Sequence, residues 1–227
     1  MDFEPLGERL RVVREEIAVR QSRGGWRHPV RIIAVTKTFG AQAVRAAVRE
    51  GLDAVGENRV QEALAKQADT ADVAVEWHLI GTLQRNKVRQ ATGRFALVHS
   101  VDRAELADEI SRRAGTTPQD VLVQVNCSAE PQKGGVEPAA LPPLLEHLRT
   151  LEGVRLRGLM TMAAADADES EQHRTFALLR TLRDASRADG HYLPELSMGM
   201  SGDFPVAVEE GATMLRLGTI LFGSRQP

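Results

Sequence analysis

Arg31-Ile32-Ile33-Ala34-Val35-Thr36-Lys37 is the stretch on which the reading of the fold turns. Ile32 to Val35 is an unbroken apolar run, mostly β-branched, of the kind that forms a strand covered on both faces; Thr36-Lys37 marks where it leaves the core. A segment of helical period follows at about 41–50, and a second β-rich run begins at 53. The same unit recurs outward from there. Eight β-rich runs can be read, at 31–35, 53–55, 76–80, 95–99, 121–125, 155–160, 195–198 and 214–217. Helix candidates lie between them at about 41–50, 58–68, 84–91, 103–114, 138–150, 169–188 and 204–211. Asp102 with Glu105 forms a capping-box pair at the start of one helix, and Asp166 with Glu169 offers a second. Alternation of this kind needs parallel strands joined by crossover helices. Eight such units match a closed (β/α)8 barrel of the TIM type, an α/β fold, better than an open doubly wound sheet, which is the alternative.

Ahead of the first strand, Leu6, Leu10, Val13 and Ile17 fall on one helical face, so residues 4 to about 21 are expected to form an extra N-terminal helix packed on the barrel. Gly24 and Gly25 end it. The 227 residues contain no linker, repeat or low-complexity block, and a single domain over 1–227 is the simpler organisation, with 1–25 as its appended helix. At 42% hydrophobic and 26% charged, the chain can bury a large core. With 29 basic and 31 acidic residues its net charge is −2, so no broad electrostatic attraction to nucleic acid or acidic lipid is expected. The longest stretch free of Asp, Glu, Lys or Arg, between Asp120 and Glu130, is far below a membrane span. Glutamates among the first residues argue against a cleaved leader, and the expectation is a cytoplasmic protein. Cys127 stands alone, without a disulfide partner, and reads as a small buried hydrophobe.

In such a barrel the reactive groups gather where strands end and βα loops begin. Lys37 follows the first strand directly and so projects toward the mouth; partial desolvation or a nearby cation raises the fraction of free amine that can attack a carbonyl to form a Schiff base. A solvated lysine snorkelling from a loop satisfies the same residues. Leu196-Ser197-Met198-Gly199-Met200-Ser201-Gly202-Asp203 and Gly218-Thr219 bring small residues, backbone N–H groups and hydroxyls to two adjacent loops, in the region near strands 7 and 8 where phosphate sites recur on this fold. Two ordinary tight turns are the alternative. Arg216 sits inside the last apolar run and needs a partner, either a ligand's pyridine nitrogen or a structural carboxylate such as Glu57 or Glu209. His78, beside Trp77, can either line the mouth or pack with its nitrogens satisfied, the latter being preferred. The histidines and the lone cysteine build no metal site, and the P-loop, G-x-S-x-G and G-x-G-x-x-G motifs are missing.

Several blocks carry a family resemblance. They are Ala34-Val35-Thr36-Lys37-Thr38, Gly56-Glu57-Asn58-Arg59-Val60-Gln61-Glu62 and Trp77-His78-Leu79-Ile80-Gly81-Thr82-Leu83-Gln84-Arg85-Asn86-Lys87, then Gly158-Leu159-Met160, Leu196-Ser197-Met198-Gly199-Met200-Ser201 and Arg216-Leu217-Gly218-Thr219 with Phe222-Gly223. The chain resembles the pyridoxal 5′-phosphate (PLP) homeostasis proteins over nearly its whole length. The resemblance implies a single barrel like the N-terminal domain of alanine racemase, with PLP bound as a Schiff base on Lys37. It also implies phosphate contacts from Ser201, Gly202, Gly218 and Thr219, a pyridine-nitrogen contact from Arg216, and Asn58 near the ring. The Asn58 contact rests on the resemblance alone. Arg59, Thr161-Met162-Ala163-Ala164 and Phe204-Pro205 depart from the usual pattern, at positions expected on the rim.

Alanine racemases on this barrel add a second domain and a tyrosine that acts as one of two acid/base groups. This chain ends soon after the eighth strand, and its sole tyrosine, Tyr192, precedes strand 7 and is expected at the opposite end from the mouth. The favoured expectation is therefore a monomeric carrier that holds PLP, supports vitamin B6 and amino-acid balance, and hands the cofactor to PLP-dependent apo-enzymes. A PLP enzyme with weak racemase- or lyase-type turnover on a small amino acid is the alternative. A Schiff-base aldolase acting on a phosphorylated sugar without PLP is the third.

Overall fold

The structure is a computed structural model that describes Phe3, residues 5–128, Glu130 and residues 133–223. Eight parallel strands close into one barrel in sequence order: β1 (Arg31–Val35), β2 (Ala54–Glu57), β3 (Glu76–Leu79), β4 (Leu97–Val101), β5 (Gln119–Gln124), β6 (Val154–Met160), β7 (Glu195–Ser197) and β8 (Met214–Leu217). Closure is made by β1, which pairs with β2 on one edge and with β8 on the other, Ile33 lying opposite Arg216. The expected TIM-type barrel is thus the observed fold.

The strands alternate faces, and two cores result. Ile33, Ala54, Leu97, Leu122, Met160 and Met214 meet inside the barrel. A larger cluster, including Ile32, Ala34, Val123, Leu159 and Leu215, fills the shell between strands and helices. That shell is built from α2 (Ala41–Arg49), α3 (Val60–Asp69), α4 (Val88–Ala91), α5 (Ala104–Arg113), α6 (Leu141–Arg149), α7 (Glu169–Ala188) and α8 (Phe204–Glu209).

The N-terminal helix α1 (Leu6–Gly24) buries Leu6, Leu10, Val13 and Ile17, the stripe read from the sequence, and ends at Gly25 in the left-handed region. The residue 4 start of the expected helix lies outside the described residues. This helix docks on α8 and on the short helix α9 (Thr219–Phe222), which the sequence reading had not anticipated. Arg9 donates to the Leu221 carbonyl at 3.1 Å, Trp26 Nε1 to the Glu209 carbonyl at 2.7 Å, and Arg20 to the Glu209 carboxylate at 2.8 Å. The N-terminal helix therefore braces the elements that follow β7 and β8.

Some boundaries differ from expectation for identifiable reasons. β2 runs on to Glu57 because that carboxylate is buried and paired rather than solvated. β4 starts two residues later than read and carries an irregularity between Val98 and Val101, so Ser100 lies within the strand, where its hydroxyl donates to the Gly81 carbonyl at 2.7 Å. The capping box of α7 is formed by Asp168 and Glu171, not Asp166 and Glu169. α5 has Arg103 at its N-cap with no side-chain cap, and Asp102 pairs with Arg103 instead of capping.

Leu10 is almost fully buried beneath α1. Leu10→Ala is expected to lower stability by about 2–5 kcal/mol, read as a fall in the urea midpoint with unchanged slope.

Candidate ligand-binding site

Lys37 stands two residues beyond the end of β1, and its backbone is fixed by its neighbours. The Thr36 hydroxyl donates to Glu57 Oε1 at 2.5 Å. Lys66, buried on α3, donates to Glu57 Oε1 at 2.6 Å, to the Thr36 carbonyl at 2.8 Å and to Glu62 Oε1 at 2.9 Å. Three donors of one ammonium meet three acceptors, which is what allows a charge to sit there. Glu62 Oε1 also accepts the Thr38 backbone N–H at 2.7 Å, and Thr38 holds a positive φ of 68°, a conformation a non-glycine residue keeps only when held in place. Burial pushes the Glu57 carboxyl up, while Lys66 and Thr36 pull it back. The backbone on both sides of Lys37 is thereby gripped, and the half-buried side chain faces the barrel mouth.

The loops after β7 and β8 meet at Ser201. Its hydroxyl oxygen accepts the Gly218 N–H at 3.3 Å and the Ile220 N–H at 3.2 Å, joining the two small-residue turns. Asp203 closes the first turn by accepting the Met200 N–H. Gly199, at φ 93°, has no room for a side chain: a Cβ would fall 2.6 Å from that of Ala207. Gly81 allows a similar approach, since its Cβ would lie 2.3 Å from the Asn58 carbonyl oxygen, and this contact seats Asn58 at the rim. Arg216, buried in β8, donates to Ser197 Oγ at 2.8 Å and to the Thr161 carbonyl at 2.9 Å. Burial draws its pKa down to about 10, against the pull of Asp203, so it stays a cation at neutral pH.

Lys37, Asn58, Ser201, Gly202, Arg216, Gly218 and Thr219 all line one cavity of about 540 Å³ at the C-terminal ends of the strands. The residues expected to hold the amine, the phosphate and the ring are therefore brought to one place. The same wall includes Met162 and Met200, which lie in stretches singled out from the sequence, and Gln124 and Lys133, which sequence reasoning missed. Gln124 was within reach, being the last residue of β5; Lys133 gave no signal, because it comes from a long loop. Asn126 and Thr161, also strand-end residues, hold loops together: Asn126 donates to Glu130 and Glu137, and the Thr161 hydroxyl donates to the Val125 carbonyl at 2.8 Å.

The carboxylate partners considered for Arg216 are engaged elsewhere, Glu57 by Lys66 and Glu209 by Arg20. His78 does not reach the mouth: it is buried and lines a separate small cavity at the opposite end of the barrel. Tyr192 is exposed just before β7, under Arg157, which lines that same far cavity. Burial pushes the half-buried Cys127 thiol up to about 11, which keeps it protonated. Among the described residues no cluster of His, Cys, Asp or Glu could hold a metal ion, and no helix is long and apolar enough to cross a membrane. Lys66→Met, which strands the buried Glu57, is expected to cost about 3–5 kcal/mol in urea unfolding, and adding Glu57→Gln is expected to recover part of that loss.

Comparison with known proteins finds relatives over nearly the whole chain. Residues 11–226 match the family described as alanine racemase, N-terminal domain. The chain is 44% identical over 223 residues to a pyridoxal phosphate homeostasis protein of Aquifex aeolicus, covering 96% of this chain and 98% of the relative. A pyridoxal phosphate homeostasis protein of Pseudomonas aeruginosa is 47% identical over 199 residues, covering 86% and 85%. Among solved structures, PipY of Synechococcus elongatus with PLP bound superposes with a TM-score of 0.85 at 40% identity, covering 96% of this chain and all of that one. An alanine racemase of Clostridium difficile, at 14% identity and a TM-score of 0.72, covers 94% of this chain and 58% of that one and shares the fold. The chain belongs to the pyridoxal phosphate homeostasis protein family, built on the alanine racemase N-terminal-domain barrel.

Proposed function

We propose that the mouth cavity binds PLP, with Lys37 holding it as a Schiff base, and that the protein serves cytoplasmic PLP and amino-acid homeostasis by keeping and delivering this cofactor. The observation that carries the reading is the convergence of one amine, a two-loop anion cup and a buried guanidinium on a single cavity of about 540 Å³. The names of the relatives and the PLP-bound PipY structure support it.

The residues present fit such a group. PLP, when bound, supplies an aldehyde that a primary amine can capture. Ser201 accepts two backbone N–H groups and so keeps its own hydroxyl proton for a phosphate oxygen. Gly202, Gly218 and Thr219 let the backbone approach that phosphate from both loops. Arg216 brings a positive charge to the cavity; facing the pyridine nitrogen, it would disfavour a proton there and limit the electron withdrawal that turnover chemistry needs. Asn58, which lines the same cavity beyond β2, would lie near the ring. Delivery would have the amine of a receiving apo-enzyme take the place of Lys37, whose side chain would be released as the free amine. The reading takes the protein as a monomer, with neither nucleic acid nor membrane as a partner.

A second reading, weak racemase- or lyase-type turnover on a small amino acid, has one observation in its favour. Lys133 brings a second basic group to the same cavity. Exchange of amino-acid α-protons into deuterated water separates the two: the carrier reading expects no sustained exchange, and steady multiple turnover would overturn it.

Wild-type protein is expected to take up PLP and turn yellow, while Lys37→Ala loses the bound chromophore. A colourless wild type that takes up no added PLP, as expected of a bare Schiff-base aldolase, or a Lys37→Ala variant as yellow as wild type, would contradict the reading.

A further inference from the structure

Below Arg216, on the barrel axis, three more polar side chains interrupt the apolar interior. Ser197 on β7, His99 on β4 and His78 on β3 are all buried, His99 and Ser197 completely. They form one chain of contacts: Arg216 to Ser197 Oγ at 2.8 Å, Ser197 Oγ to His99 Nδ1 at 2.9 Å, and His99 Nε2 to His78 Nδ1 at 2.9 Å. One end lines the mouth cavity through Arg216, and the other lines the far cavity, of about 120 Å³, through His78.

The direction of this chain follows from its first member. A guanidinium only donates, so Ser197 Oγ accepts from Arg216. Its own proton then goes to the remaining partner, His99 Nδ1. His99 is left with its proton on Nε2, which it donates to His78 Nδ1, and His78 in turn carries its proton on Nε2. That last nitrogen is a buried atom without a hydrogen-bond partner among the described residues, 3.6 Å from Glu76 Oε2 and facing a cavity with room for water. The neutral state this requires agrees with the surroundings: burial holds His99 well below the ordinary imidazole range, with His78 and Arg216 adding to the effect, and burial with Arg31 holds His78 at about 4.

We infer that Arg216, Ser197, His99 and His78 form a single one-way hydrogen-bonded column through the barrel, in which His99 and His78 are positioning residues for the arginine of the site. By taking the Ser197 proton, His99 keeps that hydroxyl a full acceptor, and Arg216 is held with its charge toward the mouth. Among the described residues the Ser197 hydroxyl bonds only to Arg216 and His99, so an apolar residue at 99 would strand its proton and loosen the bond to Arg216.

The column's direction is tested on the cofactor-free full chain by histidine-selective 15N NMR at pH 7, with His99→Asn and His78→Asn used to assign the signals. Both rings are expected to be neutral with the proton on Nε2, and Ser197→Ala is expected to shift the His99 Nδ1 signal. A proton on Nδ1 of either ring, an imidazolium, or a His99 signal indifferent to Ser197→Ala would overturn the inference. The positioning role rests on the PLP reading and is tested by PLP affinity. His99→Leu is expected to weaken binding about ten-fold, and His99→Asn, whose Oδ1 can take the Ser197 proton, to stay within about three-fold of wild type. Equal affinities for His99→Leu and wild type would overturn the positioning role. A wild-type chain that takes up no PLP would defeat the PLP reading, leaving the NMR result to decide the column.

Discussion

A buried ammonium organises the site without taking part in it. Lys66 could not stay charged beneath α3 unless its protons were matched, and the acceptors that match them are Glu57, Glu62 and the Thr36 carbonyl. The network converges on the residues flanking Lys37: Lys66 holds the Thr36 carbonyl, and Glu62 in turn holds the Thr38 N–H. The unusual backbone at Thr38 is kept in place by the same network. The backbone that carries Lys37 is therefore held by the charges behind it, and Lys37 lines the mouth cavity.

Chain direction does the rest. Eight parallel strands send every βα loop to one end, so residues far apart in sequence, Lys37 after β1 and Thr219 after β8, become neighbours across the seam where β1 pairs with β8. The Ser201 hydroxyl then links the last two loops, and the N-terminal helix, through Arg9 and Arg20, and Trp26 just beyond it brace the elements behind them. The opposite end is a different environment, ringed by paired charges such as Arg31 with Glu76 and Arg155 with Asp120.

Much of this was legible in the sequence because it is local. The run Ile32-Ile33-Ala34-Val35, the α1 stripe and the small residues after β7 and β8 announce themselves within a few positions. What was not legible depends on distance and depth. Glu62 and Lys66, four apart on a helix, look like a solvated surface pair, and only the fold shows Lys66 buried against the Thr36 carbonyl with the partly exposed Glu62 bonded to it and to the Thr38 N–H. His78 and His99 are 21 residues apart and meet only because β3 and β4 are adjacent. Lys133 reaches the cavity from a long loop that no periodicity describes. The shift in β4 reflects a local irregularity that side-chain pattern does not encode.

The central claim, that Lys37 is the amine that captures PLP, is tested most directly by loading the protein with PLP, reducing with borohydride and mapping the labelled peptide by mass spectrometry. The account predicts a single pyridoxyl group on Lys37. A label on Lys133, or one spread over other lysines with Lys37 unmodified, would contradict it.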